Sequence, residues 1–259
     1  MKRWVQTGLA LWFLASSSAP RAQEAQTPRP GVDRAPTAEM LPGRGPVQKG
    51  DWFEKVWAQR RAEFRAGREA DRGAIVFLGD SITQMWTDLA RCFPRWKVAN
   101  RGISGDTTRG LLYRLQEDVL DLEPAALVLL IGTNDIGLGA DPEDVAANIR
   151  TLLERCRKAR PRMPIVVCKV MPSHASRQRP ADKIRRLNEL VDQIVRECPQ
   201  CYRCDTWTPY ADADGNARKE EFPDLLHPNA AGYAKWAAAL EPILNKLPDL
   251  PPAETGQAG

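Results

Sequence analysis

The chain has 259 residues, 43% of them hydrophobic and 27% charged, which suits one globular domain with a sizeable core and leaves a second domain cramped. Its 37 Lys and Arg stand against 33 Asp and Glu, a net charge of +4. So small an excess gives no sign of the basic surface that nucleic acid requires, and no nucleic-acid partner is expected.

At the N-terminus, Lys2 and Arg3 precede an apolar run from Val5 to about Ala15, and the small residues Ser16 to Ala19 lead to Ala22. This is the order of a cleavable export signal over residues 1–22. The run is too short for an ordinary membrane span, so the chain is expected to be exported, periplasmic or secreted, with no span left after cleavage. Loss of Lys2, Arg3 and Arg21 leaves 34 basic against 33 acidic side chains. Residues 23–49, rich in Pro, Gly, Ala and Thr, are expected to form a solvated, disordered linker. The folded domain is expected over 50–247 and a flexible tail over 248–259.

From Asp51 to Ala70, Trp52, Phe53, Val56, Trp57 and Phe64 recur at helical spacing, which predicts an amphipathic helix whose aromatics pack on the core. Short apolar strands then alternate with helices. Strands are predicted near 74–78, 96–99, 126–131, 165–170 and 202–206, with helices near 83–91, 107–120, 142–159 and 181–197 and a last one over 230–246. Such alternation implies a parallel sheet with right-handed crossovers and helices on both faces. The unbroken apolar run Ala126 to Ile131 fits a strand covered on both sides. Cys168 falls inside a strand and reads as a buried free thiol. Cys198, Cys201 and Cys204 are spaced to hold a disulfide in an oxidising compartment; a metal would need a fourth ligand that nothing nearby supplies.

Ligands of such sheets bind beyond the carboxyl ends of the strands, and the chemistry-bearing segments fall there. Ser81 follows the run Ile75 to Leu78 and the turn Gly79-Asp80, so a strand delivers a hydroxyl; a serine that only caps the next helix is the plainer alternative. A serine nucleophile needs a base, and the chain has two histidines. His227, in Asp224-Leu225-Leu226-His227, has a carboxylate three residues away that can orient the ring, although an Asp–His pair can also merely cap a helix. His174 is the rival base and lacks such a carboxylate. Oxyanion donors are then expected from the Ser81 N–H, Gly105 and the Asn134 amide, each of which could otherwise serve only a turn. Their recurrence at the ends of three successive strands is what turns do not explain. Met85, Trp86, Ile136 and Leu138 are the candidates for shaping the substrate pocket.

Gly79-Asp80-Ser81, Gly102-x-x-Gly105-Asp106, Gly132-Thr133-Asn134-Asp135 and Asp224-x-x-His227 resemble, in order, the four sequence blocks of the SGNH or GDSL-like hydrolases. The resemblance spans about Asp51 to Lys246. It implies an α/β, flavodoxin-like three-layer α/β/α sandwich with a central five-stranded parallel sheet, and a serine ester hydrolase with no cofactor and no metal. It also implies Ser81 as nucleophile, Asp224 and His227 as the rest of the triad, and Gly105 and Asn134 beside the Ser81 N–H as oxyanion donors. The stretch Asn100 to Thr108 is most similar to the branch that holds the catalytic subunits of platelet-activating-factor acetylhydrolase and bacterial acetylesterases. Thr83 two residues after Ser81 departs from the Gly-x-Ser-x-Gly turn of α/β-hydrolases. The expected activity is acyl-enzyme hydrolysis of short-chain esters, acetyl above all, on a small-molecule or polysaccharide substrate such as an acetylated carbohydrate. Lysophospholipase or thioesterase action on lipid acyl groups, and an inert extracellular binding module, are the alternatives.

Overall fold

The computed structural model describes Met1, residues 34–248, Leu250 and Pro252. Five strands, β1 (Ile75–Gly79), β2 (Val98–Gly102), β3 (Ala126–Leu130), β4 (Ile165–Cys168) and β5 (Cys201–Cys204), form one parallel sheet in the order β2-β1-β3-β4-β5. This is the flavodoxin-like order, in which the direction of strand addition reverses at β1 and opens a crevice at the carboxyl ends of β1 and β3.

Alternation along each strand divides the core into two layers. Val76, Leu78, Leu127, Leu129, Ile165 and Val167 pack on one face, beneath α4 (Thr108–Asp118), α6 (Pro142–Ala159) and α7 (Ala181–Glu197). Ile75, Phe77, Val128, Leu130, Val166 and Cys168 face the other way, toward α2 (Ser81–Gln84), α3 (Leu89–Cys92) and α8 (Ala230–Leu244). The result is the three-layer α/β/α sandwich. Phe53, Trp57 and Phe64 of α1 (Asp51–Ala66) join Ile103 in a smaller cluster, so these aromatics pack as their spacing predicts.

Several local expectations are corrected. One helix over 83–91 is instead two short ones: the Trp86 N–H turns back to the Thr83 carbonyl at 3.2 Å and the Thr87 N–H to that of Met85 at 2.9 Å, and Asn100 Nδ2 braces the break through the Thr83 carbonyl at 2.6 Å. Residues 133–137, read as loop, form α5 (Thr133–Gly137). The strand expected at 96–99 runs from Val98 to Gly102, with Trp96 packed instead against Phe93.

The linker expected over 23–49 is solvated in composition only. Its described part, from Arg34, packs on the domain through buried Leu41 and Val47. Arg109 donates to the carbonyls of Ala38, Leu41, Pro42 and Gly45, and Arg44 exchanges backbone hydrogen bonds with the Asn148 amide. One distant guanidinium thus satisfies a strap that has little apolar surface of its own. In the expected tail, Leu250 packs against the aromatic layer and Pro252 bridges Trp96. The export signal over 1–22 lies outside the described residues. Cys198 and Cys201 form a disulfide, while Cys168 and Cys204 are buried free thiols.

Candidate active site

Ser81 is the first residue of α2, directly beyond β1. The Asp80 carboxylate before it accepts the Ile82 N–H at 2.9 Å, the usual capping bond that turns strand into helix. That places the Ser81 N–H among the first N–H groups of a helix, which have no intrahelical acceptor. Ser81 itself is 7% exposed.

Asp224 and His227 arrive from the loop before α8. Leu225 has φ +63°, a left-handed conformation unusual for leucine, with its carbonyl held by the Ser173 hydroxyl at 2.7 Å. The turn lets one oxygen of Asp224 accept the N–H groups of Leu226 and His227, at 3.0 and 2.7 Å, while the other meets His227 Nδ1 at 2.7 Å. A carboxylate can only accept, so Nδ1 carries the proton and Nε2 presents a lone pair. Nε2 lies 3.0 Å from Ser81 Oγ. Burial acts to raise the Asp224 carboxyl, but hydrogen bonds from His227 outweigh it and hold it below the usual carboxylate range. Arg177 stands 3.8 Å from the same carboxylate.

Gly105 sits on the loop after β2 and Asn134 in the first turn of α5. Gly105 has φ +83°, and a Cβ there would lie 3.1 Å from the side chains of Trp52 and Phe53, so glycine is required by both conformation and space. Asn134 is 7% exposed and donates one amide hydrogen to the Asp106 carbonyl at 3.0 Å. Its oxygen accepts from Arg179 Nη2 at 2.9 Å. Arg179 also holds the Thr133 carbonyl and hydroxyl at 3.0 and 3.2 Å. The amide is therefore fixed in orientation from both ends, with a second hydrogen still to donate.

Beneath lies a buried polar layer that sequence reasoning missed. Arg114 binds Asp106, Asp118 and the Gly79 carbonyl, at 2.8, 3.3 and 3.0 Å, and Asp135 accepts from the Thr108 hydroxyl at 2.6 Å. Burial pushes the Asp80 carboxyl up to about 7 and those of Asp106 and Asp135 up to about 6. Arg179 has no signal in the sequence; the one clue is that an amide aimed at a ligand needs a donor for its oxygen.

The four pocket candidates are not brought together. Trp86 is 1% exposed, stacked on Tyr233 and packed against Phe77, Phe93 and Trp236, and so belongs to the core; the break after α2 turns it inward. Met85 is exposed. Ile136 and Leu138 line a depression of about 370 Å³ with Gln178, Pro180 and Lys183. His174, the rival base, bonds the hydroxyl and N–H of Ser176 and caps a 3-10 turn.

A parallel sheet of this order, with a serine, a histidine and a carboxylate hydrogen-bonded in series at its crevice, defines a hydrolase of the α/β/α class in architecture. The chain belongs to the GDSL-like lipase/acylhydrolase family, whose pattern matches residues 77–235. It is 28% identical over 198 residues to platelet-activating factor acetylhydrolase IB subunit alpha1 of Bos taurus, covering 74% of this chain and 83% of that one. In fold it is similar to a GDSL-like lipase from Bacteroides thetaiotaomicron, at 22% identity and TM-score 0.62 over 73% of this chain and 96% of that one. It is likewise similar to a mutant of an acetyl-xylooligosaccharide esterase from Geobacillus Stearmophilus, at 20% identity and TM-score 0.52 over 66% and 94%. Membership of the family makes it an ester hydrolase. Among the described residues, no helix is long and apolar enough to cross a membrane.

Proposed function

We propose that the protein is an exported serine esterase that removes short acyl groups, acetyl above all, through an acyl-enzyme, with acetylated carbohydrates as the substrate class. The observation that carries this reading is the series Asp224–His227–Ser81, with hydrogen bonds of 2.7 and 3.0 Å. His227 Nε2 takes the Ser81 proton as Oγ attacks the ester carbonyl; Asp224 steadies the imidazolium that results. The tetrahedral oxyanion is met by the N–H groups of Ser81 and Gly105 and by the Asn134 amide. The imidazolium returns its proton to the leaving alcohol, and water, activated by the same nitrogen, releases the acid.

The preference for short acyl groups rests on the loops around Ser81. β1 passes into α2 within two residues and α5 begins three residues after β3, so neither of these loops carries an apolar insertion over the serine. A shallow site buries few methylenes, each worth about 0.8 kcal/mol when fully buried, and chain length gains little once it projects into water. The acetyl-xylooligosaccharide esterase among the similar structures and the export signal expected at the N-terminus support a carbohydrate substrate met outside the cytoplasm. Hydrolysis of p-nitrophenyl esters of increasing length, beside acetylated xylan, tests the proposal. Efficiency should peak at acetyl or butyryl and fall by octanoyl; a rise up to palmitoyl favours a lysophospholipase or thioesterase, and no hydrolysis of any ester leaves only a binding module.

A further inference from the structure

Trp52 stands outside the family-matched segment, in the first turn of α1, and its surroundings set it apart from the other aromatics of that helix. Phe53, Trp57 and Phe64 are buried, whereas Trp52 is 58% exposed. Exposed as it is, its ring edge comes to 3.1 Å from the Cβ position of Gly105. The Gly105 nitrogen is about 2.5 Å from that position by covalent geometry. The indole edge is thus within about 6 Å of the Gly105 nitrogen, and an oxyanion accepted by that N–H at about 3 Å lies within about 9 Å of the indole.

We infer that Trp52 is the floor of a sugar subsite, on which a pyranose of the acylated substrate stacks while its ester enters the site at Ser81. This rests on the proposed hydrolytic role of Ser81 and Gly105. The C–H face of a pyranose is the one apolar side of a hydroxylated ring, and a flat indole offers a matching surface. The neighbours fit hydroxyl groups better than an acyl chain. Gln48 reaches 3.3 Å from the same Cβ position, its amide otherwise engaged only with the Lys49 carbonyl at 3.3 Å, and exposed Lys49 and Asp51 flank it. A lipid chain would need a continuous apolar wall; here one ring is set among polar groups.

The backbone that carries the indole is tied down before substrate arrives. Arg109 clamps the strap that leads into α1 through four carbonyls, and the Glu54 N–H closes the first turn on the Gly50 carbonyl at 3.1 Å. A preorganised aromatic loses little freedom on binding. Because this wall comes from the segment before residue 77, the matched family region supplies the chemistry and the N-terminal strap supplies the grip on the alcohol side of the ester.

The test compares acetylated xylohexaose with ethyl acetate, an ester too small to reach the indole, on the wild-type chain, Trp52→Ala and Trp52→Phe. The ratio of kcat/KM for the oligosaccharide to kcat/KM for ethyl acetate should fall about tenfold in Trp52→Ala, mainly through KM, and by less in Trp52→Phe. Unacetylated xylohexaose should inhibit ethyl acetate hydrolysis competitively, with Ki raised about tenfold by Trp52→Ala. An unchanged ratio and Ki, with both esters still hydrolysed, overturn the subsite and leave the esterase standing. Absence of all ester hydrolysis from the wild-type chain overturns both. A wild-type preference for long acyl chains that Trp52→Ala abolishes overturns the sugar as occupant.

Discussion

Removing Arg179 should slow turnover chiefly through Asn134. Its Nη2 donates to Asn134 Oδ1 at 2.9 Å, and Nε fixes the preceding residue through the Thr133 carbonyl and hydroxyl. A hydrogen bond from a charged donor contributes about 1.5–3 kcal/mol. In Arg179→Ala the amide keeps its other anchor, the 3.0 Å bond to the Asp106 carbonyl, so it is loosened rather than released. The expected loss in kcat is about 10- to 50-fold, equal to about 1.4–2.3 kcal/mol, with KM little changed because the contact forms with charge that develops in the transition state. Asn134→Ala should cost about 100- to 1000-fold, the usual effect of losing one oxyanion donor. If Arg179 acts by orienting this amide, the double variant should match Asn134→Ala to within about threefold. Gly137→Ala offers a second perturbation: the added Cβ would sit 2.5 Å from Arg179 Cζ and 2.7 Å from Nη2, so the guanidinium must shift and kcat should drop in the same direction. Steady-state hydrolysis of p-nitrophenyl acetate, with circular dichroism confirming folded variants, measures all four. Losses that multiply in the double variant would refute the link.

Ser81→Ala and His227→Ala should each lower kcat by about three to six orders of magnitude, since members of such a series act as a unit, while His174→Ala keeps most activity in the same assay; a dead His174 variant beside an active His227 variant would reassign the base. Stability should run against the common acid trend: Asp80, Asp106 and Asp135 have carboxyls raised by burial to about 7, 6 and 6, so the folded state holds more protons than the unfolded one between about pH 4 and 7, and stability falls as pH rises through that window. Tm should therefore rise when pH is lowered from 7.5 to 6, and Asp80→Asn should flatten that rise; a steady fall in the wild-type chain contradicts the burial argument. Arg109→Ala should release the strap of residues 34–49 and speed its cleavage by trypsin at Arg44 and Lys49 by about tenfold, read by mass spectrometry, whereas unchanged cleavage would show that Leu41 and Val47 hold the strap unaided.

What could be read from the sequence was what local chemistry decides. α6 and α7 fall on the expected 142–159 and 181–197, because Pro142 at the first helical turn and a strong apolar period leave little choice. Ser81, Asp224 and His227 were legible for a similar reason: a nucleophile needs a base and the base needs an acceptor, and the chain has two histidines, of which His227 has an acid within reach. Trp86 reads as a pocket candidate because it falls among the side chains that follow Ser81 beyond the first strand. Its true direction is set by the turn that ends α2 and by the rings of Phe77, Phe93, Tyr233 and Trp236, on distant parts of the chain, that receive it. The strap looked solvated because composition counts apolar side chains and cannot see that an arginine some 65 residues away will satisfy its carbonyls.

The same limit explains why the layer beneath the site was invisible. Arg114 reaches the Gly79 carbonyl at the end of β1 and the Asp106 carboxylate on the loop after β2, so one fully buried side chain fixes the strand that presents Ser81 against the loop that presents Gly105. Arg179, from the loop after β4, then fixes Thr133 and Asn134 at the start of α5. Nothing in an arginine's local sequence announces such a task, since the side chain spans from one element to another and its partners are backbone carbonyls that every residue carries. The groups proposed to be catalytic are set by what such a reaction demands of each residue; their alignment is set by two cations whose places are decided only when the sheet has closed. A site of this kind is therefore read from sequence as a set of residue types at strand ends, and only from structure as a geometry.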